Sequence, residues 1–138
     1  MAKIVVVDSD AIFALYNPHD SLNTSATKTF QYLLEQQFQI IYPSSVIFEV
    51  ISLFQRVLPN PTITSTILDK IRTDSLIVYA IDNDILKEAA ELFDSNGSKK
   101  NTLIDCSVAV VAKKLKANGV FSYDRFYVKH GLKMATEL

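Results

Sequence analysis

Residues 3–7 read KIVVV, a run with no polar member after its first, and the run ends on Asp8. Nothing else in the chain limits its folding as much. Val and Ile are stiff at χ1 and suit a pleated strand. With no alternation of polar and apolar positions, this strand must be covered on both faces, as in the middle of a parallel sheet. Parallel neighbours require long crossover connections, usually helical, and the remaining sequence supplies them.

After a polar stretch around Asn17-Pro18, a helical segment of about 15 residues places Phe30, Leu33, Leu34 and Phe38 in phase. Gln39–Tyr42 reads as a second strand stopped by Pro43. Ser44 and Ser45 are N-cap candidates for a helix through Val46–Leu58. Asn60-Pro61 breaks that helix and opens another over Thr62–Arg72. Leu76–Ile81 is the third strand, and Asn83–Ser95 is an amphipathic helix ended by Asn96-Gly97. Thr102 caps a helix from Leu103 to Ala117. Its first part is apolar on nearly every side and therefore buried. Val120-Phe121-Ser122 is a fourth strand, and Lys133–Thr136 is a candidate fifth. The expected fold class is α/β, with a mainly parallel central sheet of four to five strands covered on both sides. Sites in such sheets form at the carboxyl ends of strands.

The 138 residues, 49% of them apolar, are expected to form one domain over 1–138, since domains commonly hold roughly 100–150 residues. Disorder is excluded by that apolar content. Apolar runs such as Ile4–Val7 and Val108–Ala112 fall far short of the ~20 residues a membrane span needs. With no signal-peptide layout and a single cysteine, Cys106, the expectation is a reducing, cytoplasmic setting without membrane contact.

Four of the 15 acids stand against apolar sequence. Asp8 follows the first strand, and Asp124 lies two residues beyond the fourth. Glu49 falls in SVIFEVI, an early helical turn, and Asp105 opens the most apolar helix. No Lys or Arg lies within four residues of Glu49 or Asp105. A buried, unpaired carboxylate is costly, so such groups neutralise, pair or bind a cation. Each acid also has a plainer explanation: turn residues at Asp8 and Asp124, a helix-dipole position at Glu49, and a capping box with Thr102 at Asp105. Two strand ends and two helix starts can nevertheless all face one edge of a parallel sheet. Clustered carboxylates repel and call for a counter-charge. An all-oxygen set suits Mg2+ or Mn2+, whereas zinc would want His or Cys. His19 and His130 have no ligand-like spacing, Cys106 suits small apolar packing, and Gly97, Gly119 and Gly131 form no phosphate loop.

In order, IVVVDSDAIFAL, PSSVIFEVISL and TLIDCSVAVVAKKLKANGVFSYDRFY resemble the motifs of the PIN domain, especially of VapC-like toxins in type II toxin–antitoxin pairs. The resemblance covers essentially the whole chain. It implies a three-layer α/β/α fold and a Mg2+- or Mn2+-dependent ribonuclease in which Asp8, Glu49, Asp105 and Asp124 are the metal-binding and catalytic acids. Ser9 and Ser122 match the supporting polar positions. A homodimer and a cognate antitoxin partner are implied too. Cys106 stands where Ala is common, and Asp10 is an additional acid.

Two other readings remain open. Asp8-Ser9-Asp10 after an apolar strand also suits a haloacid-dehalogenase-type phosphohydrolase using Asp8 as nucleophile, although Asp124 has no acidic neighbour. A non-catalytic RNA-binding module of the same fold is the other. The net charge of −1 conceals a division favourable to RNA: residues 1–98 carry six basic and twelve acidic side chains, while Lys99–Lys133 holds eight Lys or Arg and two acids. Tyr123, Phe126 and Tyr127 are either base-stacking or core aromatics.

Overall fold

A computed structural model describes residues 2–97 and 100–138; Lys99, the first of the basic stretch, lies outside them. Strand β1 (Ile4–Val7) leads into α1 (Ser9–Tyr16) and α2 (Asn23–Glu35), and β2 (Gln39–Pro43) into α3 (Ser44–Val57) and α4 (Pro61–Arg72). Strand β3 (Ile77–Tyr79) is followed by α5 (Asn83–Leu92) and α6 (Leu103–Lys114). Strand β4 (Gly119–Phe121) precedes the short α7 (Phe126–Lys129).

The four strands form one parallel sheet in the order β3-β2-β1-β4. Val5 pairs with Ile40 on one side and with Gly119 on the other, so β1 lies between two partners. Val5, Val6 and Val7 are buried, as an unbroken β-branched run requires. Helices α1–α4 pack among themselves and α5 packs on α6, giving three layers, α/β/α. Helix α6 is buried from Asp105 to Ala112. The chain moves from β1 towards β3 and then returns to the far side of β1, so its direction across the sheet reverses between β1 and β4. Crevices form at such reversals.

Several expected boundaries shift for local reasons. The candidate fifth strand at Lys133–Thr136 is a single bridge, Val120 to Met134, before a 3-10 turn at Ala135–Glu137. The tail lies close against β4. The Lys133 carbonyl accepts from the Val120 amide at 2.8 Å, and a Cβ on Gly119 would stand 2.9 Å from that oxygen. Ser44 and Ser45 do not cap α3, whose N-cap is Pro43. Ser44 Oγ instead accepts from the Ile81 amide at 2.9 Å, and Ser45 Oγ bonds Ser107 Oγ at 2.8 Å.

Helix α5 ends at Leu92, before the expected Ser95, and α6 at Lys114, before Ala117. Lys116 adopts φ 50°, and the Ala117 and Lys116 amides reach back to the carbonyls of Ala112 and Lys113. This left-handed cap ordinarily takes Gly. Gln37 and Asp74 play the same part after α2 and α4, with φ 62° and 55°. The glycine signal for these stops is therefore absent from the sequence.

Candidate active site

Asp8 leaves the carboxyl end of β1 and becomes the N-cap of α1. Only 3% of it is exposed. Its Oδ1 accepts from the Ser9 amide at 2.7 Å, and its Oδ2 accepts from the Tyr127 hydroxyl at 2.5 Å. Glu49, half-buried on α3, is drawn across to β1 by the Ser9 hydroxyl, which donates to its carboxylate. Asp105 sits in the first turn of α6 and forms a reciprocal capping box with Thr102. The Thr102 amide donates to Asp105 Oδ2 at 3.0 Å. The capping box does not remove Asp105 from the crevice, because the capped helix start lies at its wall. Asp124 lies just beyond β4. One oxygen accepts from the Phe126 amide at 2.9 Å and the other from Asn101 Nδ2 at 3.0 Å, while Asn101 also stands 3.5 Å from Asp105.

These four acids, with Ser9, line one cleft of about 290 Å3. Asp10 joins them, and so do two cations, Arg56 and Lys100. Arg56 follows Glu49 by two helical turns on α3, a spacing that keeps both on one face. Ser122 lies beneath: its hydroxyl donates to Asp10 Oδ2 at 3.0 Å, stands 3.4 Å from Asp8 Oδ2 and accepts from the Asp124 amide at 3.0 Å.

Burial, followed by the charges of Asp10 and Asp105, raises the Asp8 carboxyl well above its ordinary range. Burial also pushes Asp105 up to about 6, with hydrogen bonds from Thr102 and Asn101 opposing and the charges of Asp124 and Glu49 adding. Asp10 is raised by burial too, but donors surround it: the Tyr123 amide at 2.8 Å, Ser122 and the Ala11 amide. Its Oδ2 braces the segment after β4 and its Oδ1 accepts from the Ala11 amide, so Asp10 is not the free second acid that the phosphohydrolase reading needs.

Among the described residues, no three acidic, histidine or cysteine side chains already close round one point as a metal cage. The donor set still fits Mg2+ or Mn2+. Every candidate donor is an oxygen, burial first and neighbouring carboxylates second disfavour the charged forms of Asp8 and Asp105, and Mg2+ keeps several waters while taking only one or two carboxylates directly.

Asn101, Arg56 and the Tyr127 hydroxyl were not singled out as site groups in the sequence. The seven-residue step from Glu49 could have signalled Arg56, whereas nothing local signals the other two. Tyr123, Phe126 and Tyr127 pack inward. Tyr127 is wholly buried, Tyr123 is half-buried with its hydroxyl 3.0 Å from Ser25 Oγ, and Phe126 rests against Tyr127 and His130. His19 is an exposed loop residue and Cys106 is buried.

The three-layer fold around a mainly parallel sheet is the fold class the motifs implied, and the chain belongs to the PIN domain family, whose model matches residues 5–130. Solved structures with the same fold include VapC20 of Mycobacterium tuberculosis, described as a toxin that cleaves the sarcin–ricin loop. Its TM-score is 0.76 at 18% identity, over 93% of this chain and 95% of that one. FitAcB from Neisseria gonorrhoeae aligns with a TM-score of 0.66 at 13% identity, over 94% and 95% of the two chains. VapBC2 from Rickettsia felis, bound to a DNA fragment from its promoter, aligns at 0.65 and 15%, over 95% and 96%. No curated protein matches the sequence. No helix among the described residues is long and apolar enough to cross a membrane.

Proposed function

We propose that this chain is a single-domain, Mg2+- or Mn2+-dependent RNA endonuclease and a VapC-like toxin, with Asp8, Glu49, Asp105 and Asp124 as its metal-binding acids. The observation that carries this reading is the gathering of those acids from β1, α3, α6 and the segment after β4 into one cleft. An RNA phosphodiester is itself anionic, so such a cleft repels it unless a cation enters as well. When bound, that cation neutralises the phosphate, lowers the pKa of a water and stabilises the departing oxygen. Asp8 and Asp105, each held by neighbouring donors, would take up such a cation. Ser9 tethers Glu49, and Asn101 tethers Asp124 beside Asp105. Arg56 and Lys100 on the cleft wall hold phosphates flanking the one attacked.

A cytoplasmic protein with an antitoxin partner and a homodimeric state completes the proposal. The antitoxin is supported by similarity to VapBC2. The exposed apolar side chains of α3, Phe48 at 76% and Val57 at 59%, suit covering by another protein chain.

The test is incubation of labelled RNAs with purified protein, with and without Mg2+ or Mn2+, beside Asp8→Asn and Asp105→Asn. Cleavage is expected only from the wild type and only with metal. Wild-type rates from either variant would end the assignment, and metal-dependent RNA binding without cleavage would favour the binding-module reading.

A further inference from the structure

The acidic cleft rests on one neutral donor that the chemistry above does not use. Tyr127 on α7 is wholly buried, and its hydroxyl donates to Asp8 Oδ2 at 2.5 Å. The ring itself is ordinary core, lying edge-on to Phe126 with centroids 5.3 Å apart, and a Phe ring would fill the same space. The hydroxyl is the feature to be explained. A buried phenol needs an acceptor, and this one has found a carboxylate crowded by other carboxylates.

The Ser122 hydroxyl also stands 3.4 Å from Asp8 Oδ2, but it lies closer to Asp10, at 3.0 Å. Tyr127 is therefore the closer of the two hydroxyl donors to this oxygen. On the other oxygen, Oδ1, the Ser9 amide donates at 2.7 Å. One strong donor on each oxygen fixes the rotation of the carboxylate about its Cβ–Cγ bond. Only two residues separate Tyr127 from Asp124, so one short segment after β4 carries both a cleft acid and the group that orients another.

We infer that Tyr127 is a positioning residue, whose hydroxyl holds the Asp8 carboxylate in the orientation that takes up the divalent cation. The inference rests on the metal-dependent reading above and names a residue that acts through Asp8. Removing donors that orient metal ligands commonly costs about 10–100-fold in affinity or activity.

Tyr127→Phe removes the hydroxyl and keeps the ring. Calorimetric titration with Mn2+ is expected to show affinity weakened about 10–100-fold. At saturating Mn2+, kcat for RNA cleavage should fall while KM for RNA stays unchanged, because Tyr127 touches no substrate. Cooperative melting in EDTA checks that the variant is folded. Mn2+ affinity and kcat within about twofold of wild type overturn the inference while leaving the nuclease reading intact; a wild type that binds no Mn2+ overturns both. A second measurement does not depend on the variant's folding. In the wild type, the NMR resonances of Tyr127 should move on Mg2+ titration with the same midpoint as those of Asp8. Unmoved Tyr127 resonances overturn the inference.

Discussion

Strands β1 and β4 end at the same edge of the sheet as β2 and β3, yet the two halves of that edge are finished differently. Beyond β2 and β3 the chain closes on itself, mostly with neutral groups: Ser44 Oγ satisfies the Ile81 amide, Ser45 bonds Ser107, and the acid Asp82 spends its carboxylate capping α5. Beyond β1 and β4 the side chains are Asp8, Asp10, Ser122 and Asp124, and α3 and α6 bring Glu49 and Asp105 to the same place. One half is satisfied internally. The other gathers five carboxylates into one cleft with Arg56 and Lys100 on its wall, and burial raises Asp8, Asp10 and Asp105. The scaffold is common to both, so what separates the two is how the acids are used: Asp82 is spent on a helix cap, whereas Asp8, Asp10, Glu49, Asp105 and Asp124 converge on one cleft.

The largest expected contrast is in how stability responds to pH without metal. The raised carboxyls make the sign definite. The stability that Asp8 and Asp105 contribute is full below the unfolded carboxyl value of about 4 and is lost as pH rises through the folded values, about 6 for Asp105. In EDTA the melting temperature should fall between pH 4.5 and 7, and Mn2+ at pH 7 should restore it. Asp105→Asn should flatten that slope; an unchanged slope would show that the charged half of the edge is not under the tension described. Ser44→Ala, in the neutral half, should leave the slope as it is.

Next in size is the substrate side. Arg56→Ala should raise KM for RNA roughly tenfold at low salt with little change in kcat, and should reduce the salt slope of binding by about 0.7, the loss of one single-strand phosphate contact. Equal loss in kcat would instead place Arg56 in the chemistry. In the neutral half, Ser44→Ala leaves the Ile81 amide without its acceptor and should cost about 1 kcal/mol in denaturant unfolding, with cleavage at the wild-type rate. Loss of cleavage there would break the division between the two halves. The smallest effect lies outside both. Lys116→Gly should stabilise by about 0.5 kcal/mol, since relief of the left-handed backbone outweighs the added freedom of the unfolded chain.

The lesson about reading sequence is uneven in the same way. The β-branched run placed β1 correctly because a two-face burial pattern needs no tertiary information. Asp8, Glu49, Asp105 and Asp124 could be picked out because each interrupts apolar sequence, and burial makes such an interruption costly. Helix ends were read too far, at Leu92 and Lys114, and left-handed Lys116 shows why: its conformation is imposed by backbone hydrogen bonds to Ala112 and Lys113, with no glycine to announce it. Ser44 and Ser45 had the right chemistry for caps, but partners distant in sequence took their hydroxyls.

By itself the sequence determined the α/β class and the order of the four strands, and it marked four acids as out of place, because these follow from periodicity, residue type and the cost of burying charge. Tertiary structure alone decided what surrounds those acids. It turned Asp10 towards the Tyr123 amide, brought Asn101 to Asp124, drew Glu49 across to Ser9 and placed the Tyr127 hydroxyl on Asp8, 119 residues away. Hydrogen bonds between such distant positions leave no local pattern, since the pairing depends on how the sheet folds back between β1 and β4 and not on any neighbouring residue.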